Sequence, residues 1–393
     1  MVASAMVYLD HNATSPLRAS ARRAMGAALG ECGNASSVHA AGRAARARVE
    51  EAREQVARLA GVPPASVVFV SGGSEANALA LRGAIAGAAR AENRITRLFV
   101  SAIEHESVRA NAALLADSIP GLKLSEIAVT TDGTVDLAQL RPQLMQGKGR
   151  ALVSVMAANN ETGVVQDLAA IAKLVRTEGG EDALLHVDAV QAVGRIEFSF
   201  ARSDADYMTL SAHKLGAPQG AGALIVKEGA PLSPLIAGGG QELGRRSGTE
   251  NVPAIAGFGA AAEEVAEFSG EMARVRSLRD RFEAELRMLA GDVVIFGSSA
   301  MRLPNTSNFA IPGLTAETAL IALDLDGVAV SSGSACSSGK VKPSHVLAAM
   351  GVPEDVARGS LRVSFGWTSR EDDVDAAIAS LRALVARRAA LAA

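Results

Sequence analysis

The chain has 393 residues, 49% of them hydrophobic, and its 39 Lys and Arg against 42 Asp and Glu give a formal net charge of −3. This length and apolar content predict one large globular domain and one smaller one, each with its own core. The small net charge gives no electrostatic argument for nucleic acid or a membrane surface as a partner, which leaves small molecules and proteins.

Neither the N-terminus nor the cysteine content points to export. The stretch "MVASAMVYLDHNATSP" lacks the basic region of a signal peptide, and Asp10 interrupts its apolar run. No later stretch reaches the roughly 18 uninterrupted apolar residues of a membrane helix. Cys32 and Cys336 are too few for a disulfide framework and lack the spacing of a zinc site. We therefore expect a cytoplasmic protein without a metal, with Cys336 free in a reducing compartment.

The first part of the chain predicts an α/β domain. Short apolar runs alternate with Ala-rich helical patterns, which indicates βαβ units around a mainly parallel sheet. An amphipathic helix is predicted over 38–61, ended by Gly61 with Pro63 and Pro64 just beyond. The predicted strands are "VVFV" (67–70), "RLFVS" (97–101), "ALVSVMA" (151–157), "LLHV" (184–187), "YMTL" (207–210) and "GALIV" (222–226).

After about residue 250 the pattern predicts a smaller α+β domain. A long helical stretch runs through Leu289, and "VVIFG", "SNFAI", "VAVSS" and "LRVSFG" then alternate with helices. The closing "DAAIASLRALVARRAALAA" is an amphipathic helix that we expect to pack on this domain. We expect a large domain over 15–260 and a small domain formed by 1–14 and 261–393, tightly joined because no Pro-rich linker separates them.

The segment "SGGS" (71–74) follows the first predicted strand. Backbone N–H groups at a helix start near Ser74 favour a phosphate, and Gly73 lets it approach closely. A Gly-Gly turn before a capped helix is also ordinary structure. The segment therefore indicates a phosphate site only in combination with other motifs.

Two later strands end in groups that suit a cofactor. "LLHVDAVQ" places Asp188 at a strand end, where a buried carboxylate is costly without a cation, although a helix N-cap is an equally good interpretation. "YMTLSAHK" ends in Lys214, where partial desolvation favours the amine that forms imines. A lysine isolated in a turn is more often a plain surface residue.

Together the three motifs predict pyridoxal 5'-phosphate as a cofactor. A phosphate cradle, an aspartate and, 26 residues later, a lysine lie at strand ends of one predicted α/β domain. The lysine forms the Schiff base, the aspartate keeps the pyridine nitrogen protonated so that the ring accepts electrons, and the glycine turn holds the phosphate. None of the motifs predicts this cofactor alone.

Motifs along nearly the whole chain carry a resemblance to a known family. They are "YLDHNAT", "GNASSVH", "SGGSEAN", "EHESV", "NNETGVVQD", "HVDAVQ", "SAHK", "GGGQELGRRSGTEN", "SGSACSSG" and "LRVSFG". On these motifs the sequence resembles the cysteine desulfurases, pyridoxal-phosphate enzymes of the class V aminotransferase group, and within them the nitrogen-fixation and iron–sulfur-cluster branch. The resemblance implies a transferase of fold type I that works as a homodimer.

The resemblance also implies roles for individual residues. Lys214 would hold the cofactor, Asp188 would pair with its pyridine nitrogen, and Gln191 would contact its ring hydroxyl. His105 would stack on the ring and shuttle protons. The implied phosphate ligands are Gly73, Ser74, Ser211, His213 and Thr249 of the partner subunit. The implied ligands of the substrate carboxylate are Arg362, Asn34 and Asn160, the last of which also borders the cofactor.

The chain departs from the family pattern at two positions. Ala35 stands where proline is usual, which would loosen the substrate-facing loop. Ser74 stands where threonine is usual, and it keeps the hydroxyl that phosphate binding requires.

Cys336 lies among glycines and serines that predict a mobile loop over about 328–342. A free cysteine in such a loop is by itself more often inert. The resemblance implies instead a nucleophile that takes sulfur from bound L-cysteine, holds it as a persulfide and passes it to an acceptor such as an iron–sulfur scaffold protein.

We therefore expect an L-cysteine desulfurase that releases alanine, with Cys336, Lys214 and His105 as catalytic residues. A selenocysteine lyase or an aminotransferase on the same fold is the alternative, because Cys336 would be optional there. An inactive family member that serves as an assembly partner is a third possibility, and the intact set of motif residues argues against it.

Overall fold

A computed structural model describes residues 6–180, 182–267, 270–332 and 344–392 of the chain. Residues 333–342 of the predicted loop, with Cys336, lie outside the described residues. The start of that predicted loop, 328–332, consists largely of short paired strands rather than loop.

The elements alternate between strands and helices along most of the described chain. The strands are β1 (Val7–Tyr8), β2 (Val67–Val70), β3 (Ile95–Ser101), β4 (Lys123–Ile127), β5 (Arg150–Met156), β6 (Leu184–Asp188), β7 (Tyr207–Ser211), β8 (Gly222–Val226), β9 (Val294–Ile295), β10 (Thr306–Ala310), β11 (Val328–Ala329), β12 (Ser331–Ser332) and β13 (Leu361–Ser364). The helices are α1 (Ala19–Leu29), α2 (Ala40–Ala60), α3 (Gly73–Ala78), α4 (Ala84–Arg90), α5 (Glu106–Ser118), α6 (Leu137–Met145), α7 (Leu168–Glu178), α8 (Phe200–Ser203), α9 (Val252–Glu267), α10 (Glu271–Leu289), α11 (Ala316–Leu325), α12 (His345–Ala349), α13 (Glu354–Ala357) and α14 (Glu371–Ala392). A π-helical turn joins α3 to α4.

The large sheet has seven strands in the order β2-β8-β7-β6-β5-β3-β4. Strands β3 to β7 run parallel, and β8 is antiparallel to both of its neighbours. The predicted α/β class with a mainly parallel sheet is confirmed, and the six predicted strands of this region are present. Two successive antiparallel pairings restore the strand direction, so the carboxyl ends of β2, β3, β5, β6 and β7 share one edge.

Both faces of the large sheet are covered by apolar side chains. In β2, Val67 and Phe69 belong to one hydrophobic cluster and Val68 and Val70 to the other, as expected when side chains alternate between faces. Burial on both faces explains why these strands are continuous apolar runs in the sequence. The edge strand β4, "KLSEI", has exposed charged residues and was not predicted for that reason.

A second, antiparallel sheet has the order β12-β13-β10-β9. Helix α10 covers its core: Phe282 is fully buried, with ring centroids 5.6 Å from Phe309 and 5.9 Å from Phe365. The predicted helical stretch through Leu289 forms two helices, α9 and α10. The domain boundaries given above stay a prediction.

We expect Phe282→Ala to lower the free energy of unfolding by about 3–5 kcal/mol, because it removes a fully buried ring from three packed aromatics. Leu325→Ala is the control, since this leucine is 81% exposed and its loss costs about 0.5 kcal/mol or less. Urea unfolding of the apoprotein measures both. Equal midpoints for the two variants would contradict this account of the second core.

Candidate active site

A cleft opens where the carboxyl ends of the large sheet's strands meet. Met156, Asp188 and Ser211 are the last residues of β5, β6 and β7, and this edge is the one at which open α/β sheets bind ligands. The cleft has a volume of about 340 Å³, which suits a small molecule. Ten of the predicted site residues line it: Gly73, Ser74, His105, Asn160, Asp188, Gln191, Ser211, His213, Lys214 and Arg362.

Three predicted site residues are not among the cleft's described lining. Asn34 is exposed, and its Oδ1 accepts the Ser36 N–H at 2.8 Å. Thr249, which was predicted to act from the partner subunit, is exposed as well. Cys336 lies outside the described residues. The roles of all three stay predictions.

One part of the cleft is a narrow cradle formed by Gly73, Ser211 and His213, as a phosphate site requires. A Cβ built on Gly73 would lie 3.2 Å from Val190 Cγ2 and 3.3 Å from Ser211 Cβ, so a larger residue would crowd this cradle. His213 Nδ1 lies 3.1 Å from Thr14 Oγ1. Burial, with Lys214 and Arg195 nearby, lowers the pKa of His213 to about 4, which leaves a neutral imidazole beside the hydroxyls.

Asp188 is a buried carboxylate, and no described lysine or arginine forms an ion pair with it. Its Oδ2 accepts from Asn77 Nδ2 at 2.8 Å and its Oδ1 from the Val190 N–H at 3.0 Å. The neighbouring Glu104 is fully buried, and burial together with Asp188 raises its pKa well above the ordinary value. The charged form of Glu104 is therefore disfavoured beside Asp188. A carboxylate that is 5% exposed requires a cation, which a protonated pyridine nitrogen supplies.

Lys214 lies in the 3-10 turn Ala212–Leu215 that follows β7. Its Nζ donates to the backbone oxygens of Asn12 and Ala13, both at 2.6 Å. These two carbonyls hold the amine at the cleft wall. A lysine and Asp188 in the lining of one cleft with a phosphate cradle fit pyridoxal phosphate, as the sequence predicted.

His105 caps the N-terminus of α5. Its Nδ1 accepts the Ser107 N–H at 3.1 Å and lies 2.8 Å from Ser107 Oγ. Because Nδ1 accepts from a backbone N–H, the ring proton of the neutral imidazole is on Nε2. The half-buried ring therefore has a defined tautomer at the cleft.

Arg362, in β13, brings a cation from the second sheet into the cleft. Its Nη2 donates to Asp10 Oδ1 at 2.7 Å and its Nη1 to the Asn160 backbone oxygen at 3.0 Å. Its Nε–H is buried and has no hydrogen-bond partner among the described residues. An unfilled donor on a guanidinium that is 3% exposed fits a carboxylate ligand.

Sequence reasoning missed three further groups at this site. Asn12 and Asn77 lie inside "YLDHNAT" and "SGGSEAN", so the motifs themselves were the signal that could have found them. Arg195 lies behind Gln191, outside every quoted motif, and nothing in the local sequence distinguishes it from a surface arginine.

Comparisons with known proteins identify the family of the chain. A family model described as aminotransferase class V matches residues 7–377. An "IscS-like cysteine desulfurase" of Mycobacterium tuberculosis is 41% identical over 392 residues, which cover 99% of each chain. A "Cysteine desulfurase IscS" of Dictyoglomus turgidum is 40% identical over 93% of this chain and 91% of its own. The solved NifS-like protein of Rickettsia africae has a TM-score of 0.86 and 35% identity, and covers 96% of this chain and 99% of that one.

We expect Lys214→Ala to abolish the visible absorbance of lysine-bound pyridoxal phosphate, because Lys214 is the amine that lines the cleft. Lys227→Ala is the matched control: Lys227 follows β8 at the opposite edge of the sheet and pairs with Asp204 at 3.3 Å. Reconstituted proteins are compared by absorption spectroscopy. A wild-type spectrum from Lys214→Ala would refute the assignment.

Proposed function

Because the chain belongs to the class V aminotransferase family and is a pyridoxal-phosphate-dependent cysteine desulfurase, we propose that the described cleft is its active site and that Cys336 receives the sulfur. The observation that carries the proposal is one cleft that joins Lys214 and Asp188 to the unfilled Nε–H of Arg362. A lysine and an aspartate suit the cofactor, and a buried guanidinium suits an amino acid's carboxylate.

The net reaction converts L-cysteine and the Cys336 thiol into L-alanine and a Cys336 persulfide. The substrate C–S bond breaks, an S–S bond forms, and the electron pair of the broken bond stays with the substrate carbon, which takes up a proton. When bound, pyridoxal phosphate supplies the electron sink that stabilises negative charge on the substrate. Lys214 would hold it covalently, Asp188 and Gln191 would bind its ring, and the residues around Gly73 would bind its phosphate.

Arg362 orients the substrate in this proposal. Asp10 and the Asn160 carbonyl hold the guanidinium from one side, so the buried Nε–H is left to donate to the substrate carboxylate. A guanidinium that is already held through both Nη atoms loses little side-chain entropy when it binds a ligand. The Cα proton of the substrate then faces a defined position in the cleft.

Lys214 and His105 are the groups that move protons. Lys214 Nζ accepts the Cα proton, and the carbonyls of Asn12 and Ala13 that hold the amine here also hold it when it is charged. His105 carries its proton on Nε2, because Nδ1 accepts from Ser107. We assign His105 Nε2 the delivery of a proton in the carbon–sulfur cleavage step.

The described ends of the segment that contains Cys336 contact Arg362, which lines the cleft, and Glu161, which follows the cleft residue Asn160. Ser331 pairs with Arg362 in the second sheet, and Ser344 Oγ donates to Glu161 Oε2 at 2.5 Å. Cys336 itself lies outside the described residues, and its role as the nucleophile is part of this proposal.

Protein partners extend the proposal beyond one chain. We assign the protein to a homodimer, supported by the exposure of Thr249 and by the apolar Leu29, Val38 and Leu243 on the surface. An iron–sulfur scaffold protein is the proposed sulfur acceptor. The described helices include none suited to crossing a bilayer, and we place the reaction in the cytoplasm, where a thiol nucleophile stays reduced.

We expect Cys336→Ala to exchange the Cα proton of L-cysteine for deuterium but to produce no alanine, because proton abstraction requires Lys214 and not the thiol. Cys32→Ala, which removes the exposed cysteine, should retain wild-type alanine production. Mass spectrometry of substrate and product in heavy water measures both. Full alanine turnover by Cys336→Ala would favour a selenocysteine lyase or an aminotransferase instead.

Arg362→Gln should lower kcat/KM for L-cysteine about 100-fold, since loss of a charge-assisted hydrogen bond to the carboxylate costs about 3 kcal/mol. Most of the loss should be in KM. Arg358→Gln is the control, because this exposed arginine pairs only with Glu354 among the described residues. Steady-state alanine production decides, and an unchanged KM for Arg362→Gln would exclude Arg362 as the carboxylate ligand.

A further inference from the structure

Arg195 lies buried directly behind the cleft, in contact with two residues that line it. Its Nη1 donates to Asn12 Oδ1 at 2.7 Å and to Gln191 Oε1, and its Nη2 donates to the His11 backbone oxygen at 3.3 Å. It does not line the cleft itself. Any influence on a ligand therefore passes through its neighbours or through its charge.

The charge of Arg195 is not compensated by an acid of the described chain. No described carboxylate forms an ion pair with it, and burial, with the like charge of Arg362, lowers its pKa to about 9. The titratable groups that share a cavity with Arg195 are His11, Arg18, Lys214 and Glu271, and Glu271 forms its ion pair with Arg18 at 2.6 Å rather than with Arg195. Burial and Arg195 lower the pKa of His11 to about 3. A buried cation without a carboxylate of its own is costly unless an anion binds nearby.

Arg195 also determines which way the Gln191 amide faces. Gln191 Oε1 accepts from Arg195, so it is not available to a donor in the cleft. Gln191 Nε2 donates to the Asn12 backbone oxygen at 3.1 Å, and its second hydrogen is left for an acceptor in the cleft. The same Asn12 oxygen accepts from Lys214 Nζ at 2.6 Å. Arg195 thus connects the orientations of Gln191, Asn12 and Lys214.

We propose that Arg195 is a positioning residue that fixes Gln191 as a hydrogen-bond donor and places positive charge behind it, so that an oxyanion on the ring of the bound cofactor is stabilised. This inference rests on the proposed function, because it needs pyridoxal phosphate in the cleft. The chemical reason concerns two neighbouring atoms, the ring oxygen and the nitrogen that joins the ring to Lys214. When the negative charge of the oxygen is stabilised, the oxygen attracts the proton on that nitrogen less strongly. That nitrogen therefore loses its proton at a lower pH.

The test is a pH titration of the visible absorbance of the holoenzyme without substrate. Arg195→Gln should raise the pKa read from this band by about one pH unit, because it removes both the charge and the amide's anchor. Arg195→Lys keeps the charge and should shift the pKa by less than half as much. The matched control is Arg97→Lys, which changes a buried arginine at the other edge of the sheet whose donors go to the backbone oxygens of Leu144, Gly149 and Gly179; its titration should match wild type.

Two outcomes overturn the inference. One is that Arg195→Gln binds cofactor at wild-type stoichiometry and titrates with the wild-type pKa. The other is that the pKa shift in Arg195→Lys is as large as in Arg195→Gln. If Arg195→Gln does not fold, Gln191→Leu decides, since loss of the donor must raise the pKa in the same direction and an unchanged value contradicts the proposal. The titration uses no cysteine, so it is independent of alanine production. A wild-type enzyme that makes no alanine would refute the proposed function without contradicting the proposed positioning role of Arg195.

Discussion

A buried negative charge at the end of a central strand is the constraint on which the rest of the site depends. Asp188 ends β6, is 5% exposed, and forms no ion pair with a described lysine or arginine. Asn77 and the Val190 N–H orient the carboxylate without neutralising it. Burial and Asp188 raise the pKa of Glu104 beside it, which disfavours a second negative charge there. The fold thus prepares one negative charge for a cationic ligand group and keeps a second one away.

The cleft is also lined by two cationic side chains, and these join the two sheets. Arg362 comes from β13, and Lys214 follows β7. Asn12 connects them through the second sheet. Its Nδ2 donates to Thr306 Oγ1 at 2.9 Å and to the Asn160 backbone oxygen at 3.0 Å. An amino acid bound through Arg362 would therefore meet a cofactor bound through Asp188 at the junction of the sheets. Substrate orientation and cofactor electronics depend on one polar network.

The sequence predicted the large sheet and the central chemistry because both are local. Each apolar run became a strand, and Asp188 and Lys214 could be placed at strand ends because they directly follow such runs. Asn12 and Arg195 could not be found in this way, since their partners are remote: Asn12 bonds Asn305, 293 residues away, and Arg195 bonds Asn12 across 183 residues. Strand β4 could not be predicted from the sequence because an exposed edge strand requires no apolar run. The role of Cys336 depends on the family resemblance and not on a local pattern.

The central claim is that Asp188 keeps the pyridine nitrogen of the bound cofactor protonated. Nitrogen NMR of the holoenzyme, reconstituted with pyridoxal phosphate labelled at the ring nitrogen, reads that proton directly. The account predicts a protonated ring nitrogen at about pH 8, because the buried carboxylate raises the pKa of the nitrogen it pairs with. A ring nitrogen without a proton at that pH, with cofactor fully bound, would contradict the account.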